Sequence, residues 1–162
     1  MNQEEIVKSR LLVIAATIVA VVAAVAIAAD DPFVGTWKLN IEKSKAISGS
    51  LPKAETMKIE PDGNGLKIII DTVNSRGKAN HSEDPLDLDG KDHPVTGHSN
   101  YDALTYKRID PQTIIGNRKR DGKEVGSEHS VISQDGKTLT VTQKGKSSTG
   151  QDIARTLVYE KQ

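Results

Sequence analysis

Histidine is the side chain that most readily changes charge near neutral pH and the commonest nitrogen ligand for metals. This sequence has four, at positions 81, 93, 98 and 129. Two lie in DHPVTGH, where His93 and His98 are separated by four residues and follow Asp92. Such a set could ligate zinc, but the stretch is rich in turn formers and the chain has no Cys to complete a ligand set. Asp87, Asp89 and Asp92 around Gly90 give LDLDGKD the outline of a calcium loop, without the distal bidentate Glu that such a loop needs. A plain Asp-Gly turn accounts for it, and we expect no metal and no cofactor. Arg118, Lys119 and Arg120 end a strand-like segment and read as a solvated basic face rather than a phosphate site. No activated nucleophile stands with a base and an orienting partner, so no enzymatic activity is expected.

The elements that carry these residues follow from composition and punctuation. The 22 basic and 22 acidic residues cancel, so the chain exerts no long-range pull on nucleic acid or anionic lipid, and nucleic acid is not an expected partner. Residues 11–29, LLVIAATIVAVVAAVAIAA, follow Lys8 and Arg10 and end in the small-x-small pattern Ala26-Ile27-Ala28. That arrangement predicts a signal peptide over 1–28 and a secreted or periplasmic domain over 29–162. An uncleaved membrane anchor is the alternative, since about 19 apolar residues can also span a bilayer. Of the 134 residues after Ala28, 38 are apolar, so the core must be thin.

Turn signals recur at PDGNG (61–65), SRGK (75–78), DGK (89–91), GHSN (97–100), DPQ (110–112), DGK (121–123), QDGK (134–137) and SSTGQD (147–152). Asp-Gly pairs supply the positive φ that tight hairpins demand. The intervening pieces are strand-sized, and LKIIIDTV, LTVTQK and DIARTLVYE are β-branched or alternate with period two. The prediction is an all-β domain: a meander of about ten antiparallel strands closing into a single up-and-down barrel that leaves no sheet edge. So many strands enclose more volume than 38 apolar residues fill, which predicts a partly empty or wet interior. Residues 43–55, KSKAISGSLPKAE, read as one long loop with at most a helical turn.

Phe33-Val34-Gly35-Thr36-Trp37-Lys38-Leu39 resembles the first strand of the calycins, lipocalins and fatty-acid-binding proteins, whose Gly-x-Trp signature opens the barrel. RKRDGKEVGSEHSVISQDGKTLTVTQKG (118–145) and LVYEKQ (157–162) are similar to the last strands of the fatty-acid-binding branch. The chain as a whole looks like a secreted bacterial lipocalin-like protein. The resemblance implies that Trp37 and Phe33 plug one end of the barrel, with Gly35 allowing close approach to the Trp ring. It also implies a binding site for a small apolar or amphipathic ligand, a carboxylate among the candidates, and in a barrel with few aromatics and no lid the cost of association makes that binding weak and promiscuous. The implied wall is Val125, His129, Val131, Ile153 and Leu157, with Arg155 and Tyr159 as polar anchors. Two features depart from the family pattern. The helical lid after the first strand is missing, and Leu157 stands where the arginine of an Arg-x-Tyr pair is expected, leaving Arg155 two residues earlier on the same strand face. The other reading is a structural or interaction barrel filled by its own side chains.

Overall fold

A computed structural model describes residues 31–162 apart from 64 and 148, so the expected leader lies outside the described residues. The described chain is β throughout: β1 (Gly35–Leu39), β2 (Lys45–Ser48), β3 (Ala54–Asp62), β4 (Gly65–Val73), β5 (Ala79–Leu86), β6 (Asp89–Pro94), β7 (Ala103–Asp110), β8 (Thr113–Arg120), β9 (Lys123–Ile132), β10 (Thr138–Lys146) and β11 (Asp152–Lys161). They run antiparallel in the order β5-β4-β3-β1-β11-β10-β9-β8-β7-β6, with β2 also on β11. The up-and-down barrel expected from the sequence is therefore the observed architecture. Its path begins at β5 and ends at β6, which do not pair with each other.

Seven of the eight turn signals fall between strands. At 121–122 both residues take positive φ, 50° for Asp121 and 72° for Gly122, between the paired ends Arg120 and Lys123. That geometry matches the right-handed twist of the flanking strands. The exception is Asp89-Gly90-Lys91, which opens β6 and is absorbed there as a register shift between Asp89 and Asp92.

Residues 43–55, expected as a loop, contain β2, which pairs with Ala154–Thr156 of β11. The reason lies in β1, which is too short to cover its neighbour. It pairs with Tyr159–Lys161 only and would leave the first half of β11 as a bare edge. At the break, the Asn40 amide donates to the Val158 carbonyl (2.8 Å), and the Val158 amide donates to the Ser44 hydroxyl (3.0 Å). Ser44 in turn donates to the Asn40 carbonyl (2.7 Å), so one side chain replaces the missing ladder bonds.

The two ends of the barrel differ. Where β11 finishes, Phe33 and Trp37 are almost fully buried among Ile59, Leu66, Leu139 and Ile132. The Trp37 indole N–H donates to the Phe33 carbonyl (2.9 Å). Lys161 lies over the Trp37 ring (5.0 Å) and Arg108 over that of Phe33 (5.2 Å), so two cations cap the aromatic plug from outside. Gly35 is required by its backbone rather than by close approach to the Trp ring, since its φ of 141° strains any L side chain, and the neighbour a Cβ would meet is the flexible end of Lys161. A Cβ there would stand 2.7 Å from Lys161 Cε. The opposite end, where β11 begins, is the mouth.

Candidate binding chamber at the barrel mouth

Alternation decides which side chains meet inside. From Leu139 and Val141, β10 sends Gln143 inward near the mouth; from Tyr159 and Leu157, β11 sends Arg155 inward. β3 contributes Glu55 above Met57, β8 contributes Arg118 above Gly116, and β9 contributes Glu128 above Ser130. A chamber of about 90 Å³ lies among them, walled by Glu55, Asp84, Arg118, Glu128, Gln143 and Tyr159, with Tyr101 and Ser82. The void beneath it is only about 20 Å³ and shares Met57, Ile68, Tyr106, Glu128 and Val141 with the chamber. Below the chamber, the barrel is filled.

Tyr159 is 1% exposed and its hydroxyl donates to Glu55 Oε1, while Thr72 donates to Glu55 Oε2 (2.8 Å). Burial, reinforced by the Glu55 charge, pushes the Tyr159 phenol far above its ordinary value, so it acts as a fixed donor. Arg155 Nε donates to Gln143 Oε1 (2.8 Å) and a terminal nitrogen to the Ser50 carbonyl (3.3 Å), which ties β11 to the loop after β2. The Gln143 amide donates to Glu128 Oε2 (3.0 Å), and Ser130 donates to Glu128 Oε1 (3.2 Å). The two groups expected to hold a ligand carboxylate are thus engaged within the protein. Glu55 occupies the position facing Tyr159 that was expected for the ligand.

Other residues stand apart from the expected wall. His129 is exposed on the outer face, and Val131 is on that face too, because β9 turns Glu128, Ser130 and Ile132 inward. Leu157 is fully buried in the core rather than on the chamber. Ile153 and Val125 line a broad open depression of about 640 Å³ on the rim, with Gly126, Gly145 and Ala154. The basic triplet is not one solvated face: Arg118 points into the chamber, Lys119 pairs with Asp92 (2.8 Å), and Arg120 donates to the Ser99 carbonyl.

Arg118 is the residue that sequence reasoning missed most clearly. Its guanidinium lies against Gly126, where a Cβ would stand 3.0 Å from Nε. It makes no hydrogen bond or ion pair with another described residue, and no buried side-chain nitrogen or oxygen there is left orphaned, so its N–H groups reach open space. Glu55 and Glu128 likewise have neutral donors only. The one signal for this set was LTVTQK, whose alternation puts Gln143 inside and, through pairing with Glu128, sets the phase of β9.

Residues 95–102, which follow β6, reach β5 through one side chain near the unpaired path ends. His98 stacks on Tyr101 (4.2 Å between centroids) and bonds Asp84 of β5 through Nε2 (2.8 Å). His93 instead contacts Asp87 (3.1 Å) and Asp89 (2.9 Å), so the two histidines of DHPVTGH serve different carboxylates. Among the described residues no group of three His, Cys, Asp or Glu is arranged to hold a metal.

No protein-family profile matches the chain, and no curated protein matches it in sequence. Solved structures do match in fold. A fatty acid binding protein of Schistosoma mansoni in complex with arachidonic acid superposes with a TM-score of 0.55 at 10% identity, over 81% of this chain and 96% of that one. A variant of the fluorescent protein UnaG gives 0.54 at 18% identity, over 81% and 96%. As-p18, an extracellular fatty acid binding protein, gives 0.53 at 17% identity, over 82% and 97%. The chain shares the barrel fold of these fatty acid binding proteins.

Proposed function

We propose that the protein is a binding barrel that takes the polar end of a small amphipathic molecule into the chamber at its mouth and leaves the apolar end along the rim. The observation that carries this reading is the contrast between a chamber of about 90 Å³, whose wall joins Glu55, Asp84, Arg118 and Glu128 to apolar Met57, Ile70 and Leu104, and an apolar base with about 20 Å³ left open. Pockets that enclose drug-sized ligands run to roughly 300 Å³ or more, so a long acyl chain has no room below the chamber. The rim depression, with Val125, Ile153 and Ala154, offers apolar surface to a short tail. Burying about four methylenes there contributes about 3 kcal/mol, less than the roughly 4–15 kcal/mol that association costs. Binding is therefore weak unless the head group contributes, and tolerant of tail structure.

Titration by NMR with eight-carbon and sixteen-carbon amphiphiles of the same head group tests this. Equal affinities, with shifts at Gln143, Ile153 and Arg155, are expected; a large gain with the longer chain would mean that the base opens to admit it. The filled base favours a second reading, a self-filled barrel that meets partners through its outer surface. Absence of any ligand both in titrations and in organic extracts of natively purified protein would select it. Export is part of the proposal and rests on residues 11–29. A mature N-terminus near Ala29 in the native host supports it, and a start at Met1 in the membrane fraction replaces it with an anchor.

A further inference from the structure

The charges that line the chamber do not balance, and they do so in a way that selects a head group. Three carboxylates, Glu55, Asp84 and Glu128, face one guanidinium, Arg118. Asp84 has His98 as its partner. Glu55 and Glu128 have only hydroxyl and amide donors, each oxygen accepting one and keeping a free lone pair. Arg118 has donors and no acceptor among the described residues. Arg155, at the rim, adds a second guanidinium, already bonded to Gln143 and Ser50.

A ligand carboxylate entering this space meets Arg118 at the expense of facing two unneutralised carboxylates in a confined site, where like charges repel more strongly than in water. A simple ammonium satisfies Glu55 or Glu128 and leaves Arg118 unmatched. An uncharged hydroxyl gains neither charge-assisted bond. From this we infer that the chamber is a site for an amphiphile whose head carries an ammonium beside an acceptor oxygen, as the end of an α-amino acid does: the ammonium goes to Glu128 and Glu55, the oxygens to Arg118. The volume, about 90 Å³, is that of a few water molecules and suits a head of this size. The inference rests on the binding reading above.

The test is a calorimetric titration at pH 7 of the purified protein with four ligands that share one tail: octanoate, octan-1-ol, octylamine and 2-aminooctanoate. The expected order places 2-aminooctanoate first, at least tenfold tighter than octanoate, with octylamine second. Glu128→Gln should weaken the two ammonium ligands and leave octanol unchanged. Arg118→Gln should bring 2-aminooctanoate down to the level of octylamine. The ladder in the unmodified protein needs no variant to fold. Octanoate or octanol binding as tightly as 2-aminooctanoate would overturn this inference while the binding reading survives; no binding by any of the four would overturn both.

Discussion

At the scale of single residues, the barrel depends on two buried groups with opposite needs. Trp37 is 0% exposed and its one polar atom is bonded to Phe33, so Trp37→Ala empties a large apolar site at the closed end. A loss of about 3–5 kcal/mol is expected from urea melts; a loss under about 1 kcal/mol would show that the ring is peripheral. Tyr159→Phe keeps the ring and removes only the donor to Glu55. A buried carboxylate that loses a donor costs about 1–3 kcal/mol. The same melts should therefore show Tyr159→Phe losing that much, and Glu55→Gln should halve the difference between Tyr and Phe at 159, because an amide suffers less than a carboxylate. Additive losses in the double variant would mean that the two groups do not interact.

At the scale of elements, glycine marks where strands approach too closely for side chains. Gly145 on β10 has φ 142°, and a Cβ there would fall 2.5 Å from Gly126 Cα and from the Val125 carbonyl oxygen, both backbone atoms that cannot swing away. Gly136, in the β9–β10 turn, also has positive φ (70°) but open space around it. Gly145→Ala should therefore destabilise by about 2 kcal/mol more than Gly136→Ala, since overpacking adds to the backbone penalty; thermal melts of the two variants decide it. The strands themselves were legible from turn chemistry and alternation. The facing of β9 was not, because its apolar residues Val125 and Val131 lie away from the chamber while polar Glu128 and Ser130 point inward. Hydrophobic patterning assumes an apolar interior, and near this mouth polar side chains make up about half of it. The partly empty or wet interior expected from so thin a core is confined to the chamber of about 90 Å³ near the mouth, where polar side chains bond one another, while the base is filled. β2 was hidden for a related reason, since only the bare edge of β11 calls for it.

At the scale of the whole molecule, acid and base titrations set a window of greatest stability. Hydrogen bonds that His81 donates to Asp71 and then to Glu83 raise its pKa, and the bond to Asp89 raises that of His93. A histidine raised by folding contributes stability that is complete below its unfolded pKa of about 6.5 and is lost as pH rises through its folded value. Lysine partners lower Glu60 and Asp92, and Lys43 lowers Glu160; their contribution is present above about pH 4 and lost as pH falls through their folded values. The Tm should peak between about pH 5 and 6.5, and decline toward pH 8. A His81→Gln, His93→Gln double variant should flatten that decline, and a wild-type Tm that rises from pH 6 to 8 would contradict it.

The unpaired ends of the strand path have a consequence for solubility. A cylinder slit along its length presents two lips of unpaired backbone, each a template on which a second chain could add a strand. Both lips carry a proline, Pro85 in β5 and Pro94 in β6, which withholds an N–H from any incoming strand, and charged or titratable side chains such as Glu83, His81 and Lys91 line them. Pro85→Val with Pro94→Val would restore the missing donors and raise β propensity at both lips. Incubated at high concentration, that variant should form thioflavin-positive aggregates sooner than the parent; equal lag times would mean that residues 95–102 alone guard the slit.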